Sequence, residues 1–419
     1  MKKLLGILLA LIAFFVFNNM ASAQFSKLKQ KIQDKVGQRV DQKTDKAIDN
    51  TLDSADAATK TNKNKPKTST GTTSNTQTQS SDNTAQTSAG TAVTQAQPSI
   101  KAYQNYDFVP GDKILFEDHF TDEQDAEFPS HWELIKGQGQ LNKIGGEEAF
   151  FLTEGNYVQV KPRMKTEKYL TDPFTIEYDY YNKDNAYGLM TFLYAIDPAC
   201  SCENTSSVQT STSEGAFEGQ ASFSKAYAND LQGDNFINKW HHIAIAVKNH
   251  QLKLYVDQNR VLVVPDTKSD FYSVSLGGIG SDDQPLIFKN VRIASGGNMN
   301  MIGKKFTESQ IVTHGINFDV DKAVIRPESM GTLNMIVQVL KDNPDIKFEI
   351  DGHTDNSGTP QHNLTLSQQR ADAVRAQLVS MGIDASRLTT KGLGDTQPIS
   401  DNTSLEGKAN NRRVVFVKK

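Results

Sequence analysis

The chain has 419 residues, a length that suggests two or three domains rather than one. A formal net charge of -4 at pH 7 is small for that length and argues against nucleic-acid binding. Cysteine is scarce, with only Cys200 and Cys202, and two sulfur ligands with no nearby His pair do not make a zinc site.

The N-terminus reads as a targeting segment. Met1-Lys2-Lys3 is followed by an apolar run from Leu4 to Phe17 and by Ala21-Ser22-Ala23-Gln24. This pattern predicts a signal peptide over residues 1–23, cut after Ala23. No cysteine sits there to take a lipid, and no later apolar run is long enough for a spanning helix. The expectation is an exported protein, in the periplasm or associated with the outer membrane.

Residues 24–54 follow as an amphipathic helical arm. Leu28, Ile32, Val36, Val40, Ile48 and Leu52 form a thin apolar stripe among Lys, Gln and Asp. The arm suits self-association or weak surface binding, or simply leads into the linker. Residues 55–100 are rich in Thr, Ser, Asn and Gln and nearly devoid of apolar residues, so they are expected to be a disordered tether. The linker's Ser/Thr content also suits glycosylation.

From 103 to 296 the pattern is β. Short runs such as Phe174–Tyr181, Trp240–Val247, Gln251–Val256 and Leu286–Ile293 alternate or carry aromatic and β-branched residues, with Asn, Asp and Gly between them. The expected fold is an antiparallel β-sandwich of the jelly-roll kind. The stretch Trp240–Leu262, with Ile243, Ile245 and Val247 answered by Leu252, Leu254 and Val256 across a turn, resembles the central hairpins of laminin-G and concanavalin-like domains. That resemblance implies a glycan-binding module, a protein-contact module or a spacer, and does not choose among them. Glu177 and Asp179 share a strand face and read as solvated positions rather than a glycosidase pair. His241 and His242 face opposite sides of their strand and cannot converge on one metal. In an oxidising compartment Cys200 and Cys202 suit a tight loop disulfide, or stay as two thiols.

After a Gly-rich joint at Gly296–Asn300, residues 307–419 change period. Val312–Phe318 reads as a strand, Ser329–Lys341 as a helix with Pro327 near its start, and Ile346, Phe348 and Ile350 as a second strand. A polar loop follows, Gly352-His353-Thr354-Asp355-Asn356-Ser357-Gly358. Helix is expected to resume at Leu366, with Ser367 as N-cap and Arg370 in its first turn, and to end at Gly382. Val414–Val417 closes a small sheet with both helices on one side, an α/β domain.

Here the motifs accumulate: Gly352-His-Thr-Asp355, Asn363, Leu366-Ser-Gln-Gln-Arg370-Ala371, Gly392-Leu-Gly394 and Asn411-Arg412-Arg413-Val414. In this order they resemble the OmpA-like (OmpA/MotB) C-terminal domain. Lys408 stands where many members carry Arg. The resemblance implies non-covalent peptidoglycan binding at the diaminopimelate of the stem peptide. By position it makes Asp355 the acid and Arg370 the base of the site, with Asn363, Thr354, Asn356 and Arg413 around them. The chemistry is consistent: a carboxylate and a guanidinium suit the ammonium and carboxylate on one carbon of a zwitterion. No nucleophile with a partner and no three-ligand metal set stands out, so no catalytic residue, cofactor or metal is expected. The preceding β segment lacks the lipid-facing alternation of a membrane barrel. The resemblance thus implies a non-catalytic envelope protein of a Gram-negative cell that links the wall to the outer membrane or to a partner. The alternative is a glycan-binding or glycan-active middle domain tethered to the wall.

Overall fold

The structure is a computed structural model that describes residues 106–184, 186–197, 201–297 and 306–419. The expected signal peptide, arm and linker, Cys200, and most of the Gly-rich joint lie outside the described residues. Those that are described fall within one unit, Val93–Lys419.

The first part is built of strands β1 (Lys113–Asp118), β2 (Trp132–Ile144), β3 (Glu147–Pro162), β4 (Phe174–Asn182), β5 (Leu189–Asp197), β6 (Cys202–Thr210), β7 (Glu214–Glu218), β8 (Phe223–Ala226), β9 (Trp240–Lys248), β10 (Gln251–Val256), β11 (Asn259–Val264), β12 (Phe271–Gly280) and β13 (Leu286–Ser295). They form one antiparallel sheet ordered β11-β10-β9-β4-β13-β3-β12-β5-β6-β7-β8, with β1 paired to β13 and β2 to β3. The sheet folds back on itself. Gly215 on β7 faces Leu254 and Val261, from the opposite end of the strand order. One apolar core results, with Trp132, Phe150, Tyr178, Phe217, Leu254 and Phe288 fully buried. The expected hairpin is present, β9 pairing β10 from Val247–Leu252 to Ile243–Val256.

The second part contains β14 (Gln310–Thr313), helix α1 (Met330–Asp342), β15 (Phe348–His353), helix α2 (Pro360–Ser380), β16 (Leu388–Gly394), helix α3 (Leu405–Asn411) and β17 (Val414–Lys418). The sheet runs β14-β17-β15-β16, with β15 and β16 parallel and the other pairs antiparallel. Leu333, Ile336 and Leu340 of α1 and Ala371, Val374 and Leu378 of α2 share a core with Phe348, Ile350 and Phe416. Both helices therefore lie over one sheet face, as expected. Pro327 starts a short 3-10 turn leading into α1. Gly382, at φ +94°, closes α2 while Ile383 N–H bonds the Leu378 carbonyl at 3.1 Å.

Two local expectations change. Helix α2 starts six residues before Leu366, at Pro360, with Thr359 as N-cap accepting from His362 N–H at 3.3 Å. Ser367 is thus buried mid-helix: its Oγ donates to the Leu364 carbonyl and accepts from Gly394 N–H, both at 2.9 Å. Arg370 is mid-helix too, so the field of a helix start does not act on it. Proline loses nothing at a first helical position, so Pro360 can open the helix.

Glu177 and Asp179 are the second correction. They are 3% and 5% exposed rather than solvated. Phe174, Ile176, Tyr178 and Tyr180 of β4 fill the sheet core, so the alternation is right. The opposite face is covered by the second part of the chain, and Arg326 reaches Asp179 at 3.6 Å. His241 and His242 do diverge: His241 sits against Asp257 at 2.5 Å, His242 against Asp179 at 2.9 Å.

The two parts share more than that contact. Tyr106, Phe108 and Val109, just before β1, and Ala244, Ala246 and Tyr255 of the sheet belong to the same apolar cluster as α1 and β15. The Phe108 carbonyl lies where a Cβ on Gly331 would stand, so α1 meets that segment backbone to backbone. Asn410 of α3 donates to the Ile114 carbonyl at 2.9 Å and accepts from Ile114 N–H at 3.0 Å, capturing the edge of β1.

Candidate functional site

The site grows from the end of β15. Strand β15 must lie close to α2 to bring the loop at 354–358 beside that helix. Gly352 and Gly392 permit this: a Cβ on Gly352 would collide with the Ser367 carbonyl, and one on Gly392 would stand 2.5 Å from Gln368 N. Thr354 N–H then bonds the Gly394 carbonyl at 3.0 Å, fixing the chain just before Asp355.

Asp355 is 8% exposed. Its Oδ1 accepts from Ser357 N–H at 2.9 Å, and its Oδ2 accepts from Arg412 Nη1 at 2.5 Å. Burial opposes the charge, but the Ser357 amide and the Arg412 guanidinium outweigh it and hold the carboxyl below its usual range. Asp355 is therefore an anion with lone pairs left over, since each carboxylate oxygen accepts more than one bond.

Asn363, 3% exposed on α2, donates from Nδ2 to the Asp355 carbonyl at 3.1 Å and to the Gly358 carbonyl at 3.4 Å. It thereby ties the loop to the helix. Thr354 is buried, and its Oγ1 has no hydrogen-bond partner among the described residues. Asn356 is exposed at the loop tip.

Arg370 is half-buried and lies over the Phe318 ring, 5.0 Å from its centre. Its Nε donates to the Lys322 carbonyl at 2.9 Å and its Nη2 to the Asp319 carbonyl at 3.4 Å. It does not pair with Asp355. Burial and then the nearby positive Arg412 push its pKa down, while Asp321 and Asp355 oppose them. An acid and a base thus stand in one neighbourhood without neutralising each other, the arrangement a zwitterion needs.

Arg413 is placed differently from Arg412. It is 7% exposed and donates to the Asn411 carbonyl at 3.1 Å and the Gln397 carbonyl at 2.9 Å, bracing the turn before α3. The sequence reading named Arg413 and passed over Arg412, which is the residue that reaches Asp355. The Arg-Arg pair gave no way to choose. Side chains on successive residues diverge, and only the entry to β17 fixes which one faces the loop.

Among the described residues one group suits a cation that sequence reading did not find. Asp118, Asp122 and His131 each place a ligand atom within 4.8 Å of the others. Asp118 is already engaged, accepting from Phe120 N–H and from the Trp132 indole, both at 2.8 Å.

Residues 317–412 match the OmpA family. Over 101 residues the chain is 44% identical to "Probable lipoprotein YiaD" of Escherichia coli (strain K12), covering 24% of this chain and 46% of that protein. It is 42% identical over 107 residues to "Peptidoglycan-binding protein ArfA" of Mycobacterium tuberculosis (strain ATCC 25618 / H37Rv), covering 25% of this chain and 33% of that protein. Among solved structures, the cell wall anchor of the T6SS from Pseudomonas aeruginosa is 33% identical, with 26% of this chain and 80% of that one covered and a TM-score of 0.24. The similarity spans less than half the length of either curated relative. The matched stretch 317–412 contains Thr354, Asp355, Asn363, Arg370 and Arg412, from the loop, from α2 and from the turn before β17. The C-terminal part of the chain, residues 317–412, is an OmpA-family domain.

Proposed function

We propose that this protein binds peptidoglycan without chemistry, through the pocket between Asp355 and Arg370, and so holds its other parts at the cell wall. The observation that carries the reading is the unpaired arrangement of those two residues. Arg370 is fixed by carbonyl oxygens and an aromatic face, and Asp355 by an amide and Arg412. Each keeps capacity for a group outside the protein. The ligand group this suits is the amino-acid end of diaminopimelate, its ammonium on Asp355 and its carboxylate on Arg370. A relative described as peptidoglycan-binding supports the same reading.

In this reading Asn363 and Thr354 shape the loop, Arg413 braces the turn before α3, and Asn356 is a rim contact. The protein is not an enzyme. It is exported by residues 1–23 and works in the periplasm or at the outer membrane. A partner there is reached through the arm and the linker. The sheet domain is of the concanavalin-like jelly-roll kind. No described helix is long and apolar enough to cross a membrane.

Cosedimentation with purified diaminopimelate-type peptidoglycan tests the reading. Wild type is expected in the pellet, Asp355→Ala and Arg370→Ala in the supernatant. Pelleting of both variants at the wild-type level would refute the pocket.

A further inference from the structure

Arg412 is shared between two carboxylates from different parts of the chain. Its Nη1 binds Asp355 and its Nη2 binds Glu117 of β1, in the sheet domain. Glu117 is 4% exposed and held firmly. Its Oε1 accepts from Arg292 Nε at 2.8 Å and from Arg292 Nη2 at 2.6 Å. Arg292 is anchored in turn across the domain boundary, through Nη1, to the His314 carbonyl at 3.1 Å and Asn317 Oδ1 at 3.0 Å. His119 stands 3.4 Å from the other oxygen. The Asn410–Ile114 bond pair fixes β1 against α3, two residues from Arg412.

We propose that Glu117 is a positioning residue of the wall-peptide site: by holding one arm of the Arg412 guanidinium, it limits Arg412 to a single bond with Asp355 and leaves that carboxylate open to a ligand ammonium. The inference rests on the wall-binding reading above. Its physical basis is the fork geometry of arginine. A free guanidinium beside a carboxylate closes on it with two parallel bonds. With Glu117 removed, Arg412 closes on Asp355 in this way, and the neutralised pair has little left for an ammonium. With Glu117 present the fork is split, and Asp355 keeps its charge and its outer lone pairs. The sheet domain thereby supplies part of the site although none of its residues faces the ligand.

Titration of a diaminopimelate-containing muropeptide into the full chain tests this in wild type, Glu117→Gln, Arg412→Gln, the double variant and Asp355→Ala. Glu117→Gln keeps the side-chain volume and is expected to weaken binding roughly three- to tenfold, within the range of direct couplings. In the Arg412→Gln background the same change is expected to do nothing further, which a general loosening of the fold would not reproduce. Wild-type affinity for Glu117→Gln, or losses that multiply in the double variant, would overturn the proposal. Where Glu117→Gln fails to fold, Arg412→Lys replaces it. An ammonium cannot close on Asp355 with two parallel bonds, so that carboxylate stays open and near-wild-type affinity is expected, whereas a loss as large as that of Asp355→Ala overturns the proposal. Asp355→Ala separates the two levels: wild-type binding there refutes the wall-peptide reading itself. Loss there with unchanged Glu117→Gln refutes only the role of Glu117.

Discussion

The Ser367 carbonyl occupies the space that a Cβ on Gly352 would need, so β15 and α2 meet backbone to backbone. This approach brings the Asp355 loop onto the helix that carries Arg370. Gly352→Ala is expected to push strand and helix apart and to cost about 1–3 kcal/mol, the usual range for overpacking. Urea unfolding measures the loss. The same variant should bind peptidoglycan more weakly, because the shift changes the spacing of acid and base.

Asn363 acts on the site through the Asp355 and Gly358 carbonyls. Asn363→Ala leaves the buried Asp355 carbonyl short of a donor and is expected to cost about 1–3 kcal/mol. It should also weaken wall binding while leaving every charge in place. Binding measured at increasing salt checks this: the Asn363→Ala curve should run parallel to wild type, whereas removal of Arg370 should flatten it.

Two histidines set opposite limbs of the stability–pH profile. Burial, and then the positive Arg413, hold His353 down at about 4 against an ordinary 6.5. The unfolded chain takes up this proton from pH 6.5 downward and the folded chain does not, so stability falls as pH drops from about 6.5 to 4. His242 is the reverse. Burial disfavours its charge, but Asp179 and Glu177 outweigh burial and raise it to about 10, with Glu328 adding to the pull. Arg326 stands across Asp179. The contribution of His242 is complete below pH 6.5 and is lost as pH rises towards 10. Urea midpoints across pH 4–10 should show both limbs. His353→Gln should flatten the acid one and His242→Asn the alkaline one.

Phe108 is fully buried in a cluster that joins the two parts of the chain. Phe108→Ala is expected to cost about 3–5 kcal/mol, as for other buried aromatics. Because the cluster is continuous, wild type should melt in one calorimetric transition and Phe108→Ala in two. Two transitions already in wild type would show that the cluster does not couple them.

Much of this was legible in the sequence, and what was missed has physical causes. The C-terminal motifs placed Asp355, Asn363 and Arg370 in one neighbourhood, because turn residues and helix periodicity are local signals. The helix start was misplaced because Ser367 and Thr359 are both suitable N-cap residue types, and only the fold decides between them. Glu177 and Asp179 were read as solvated because alternation reports which face of β4 is polar, not what covers that face. Asp179 meets Arg326, far along the chain, in an ion pair that alternation cannot report. For the same reason nothing local links Glu117 to Arg412, whose contact exists only once α3 has captured β1.

Discrimination between stem peptides tests the central claim most directly. Calorimetric titration of wild type and Arg370→Ala with two peptides, one carrying meso-diaminopimelate and one carrying L-lysine at the same position, removes only the carboxylate meant for Arg370. Wild type should favour the diaminopimelate peptide by about tenfold or more, the scale of a lost charge-assisted pair, and Arg370→Ala should lose that preference. Equal affinity of wild type for both peptides would contradict the recognition of a zwitterion by Asp355 and Arg370.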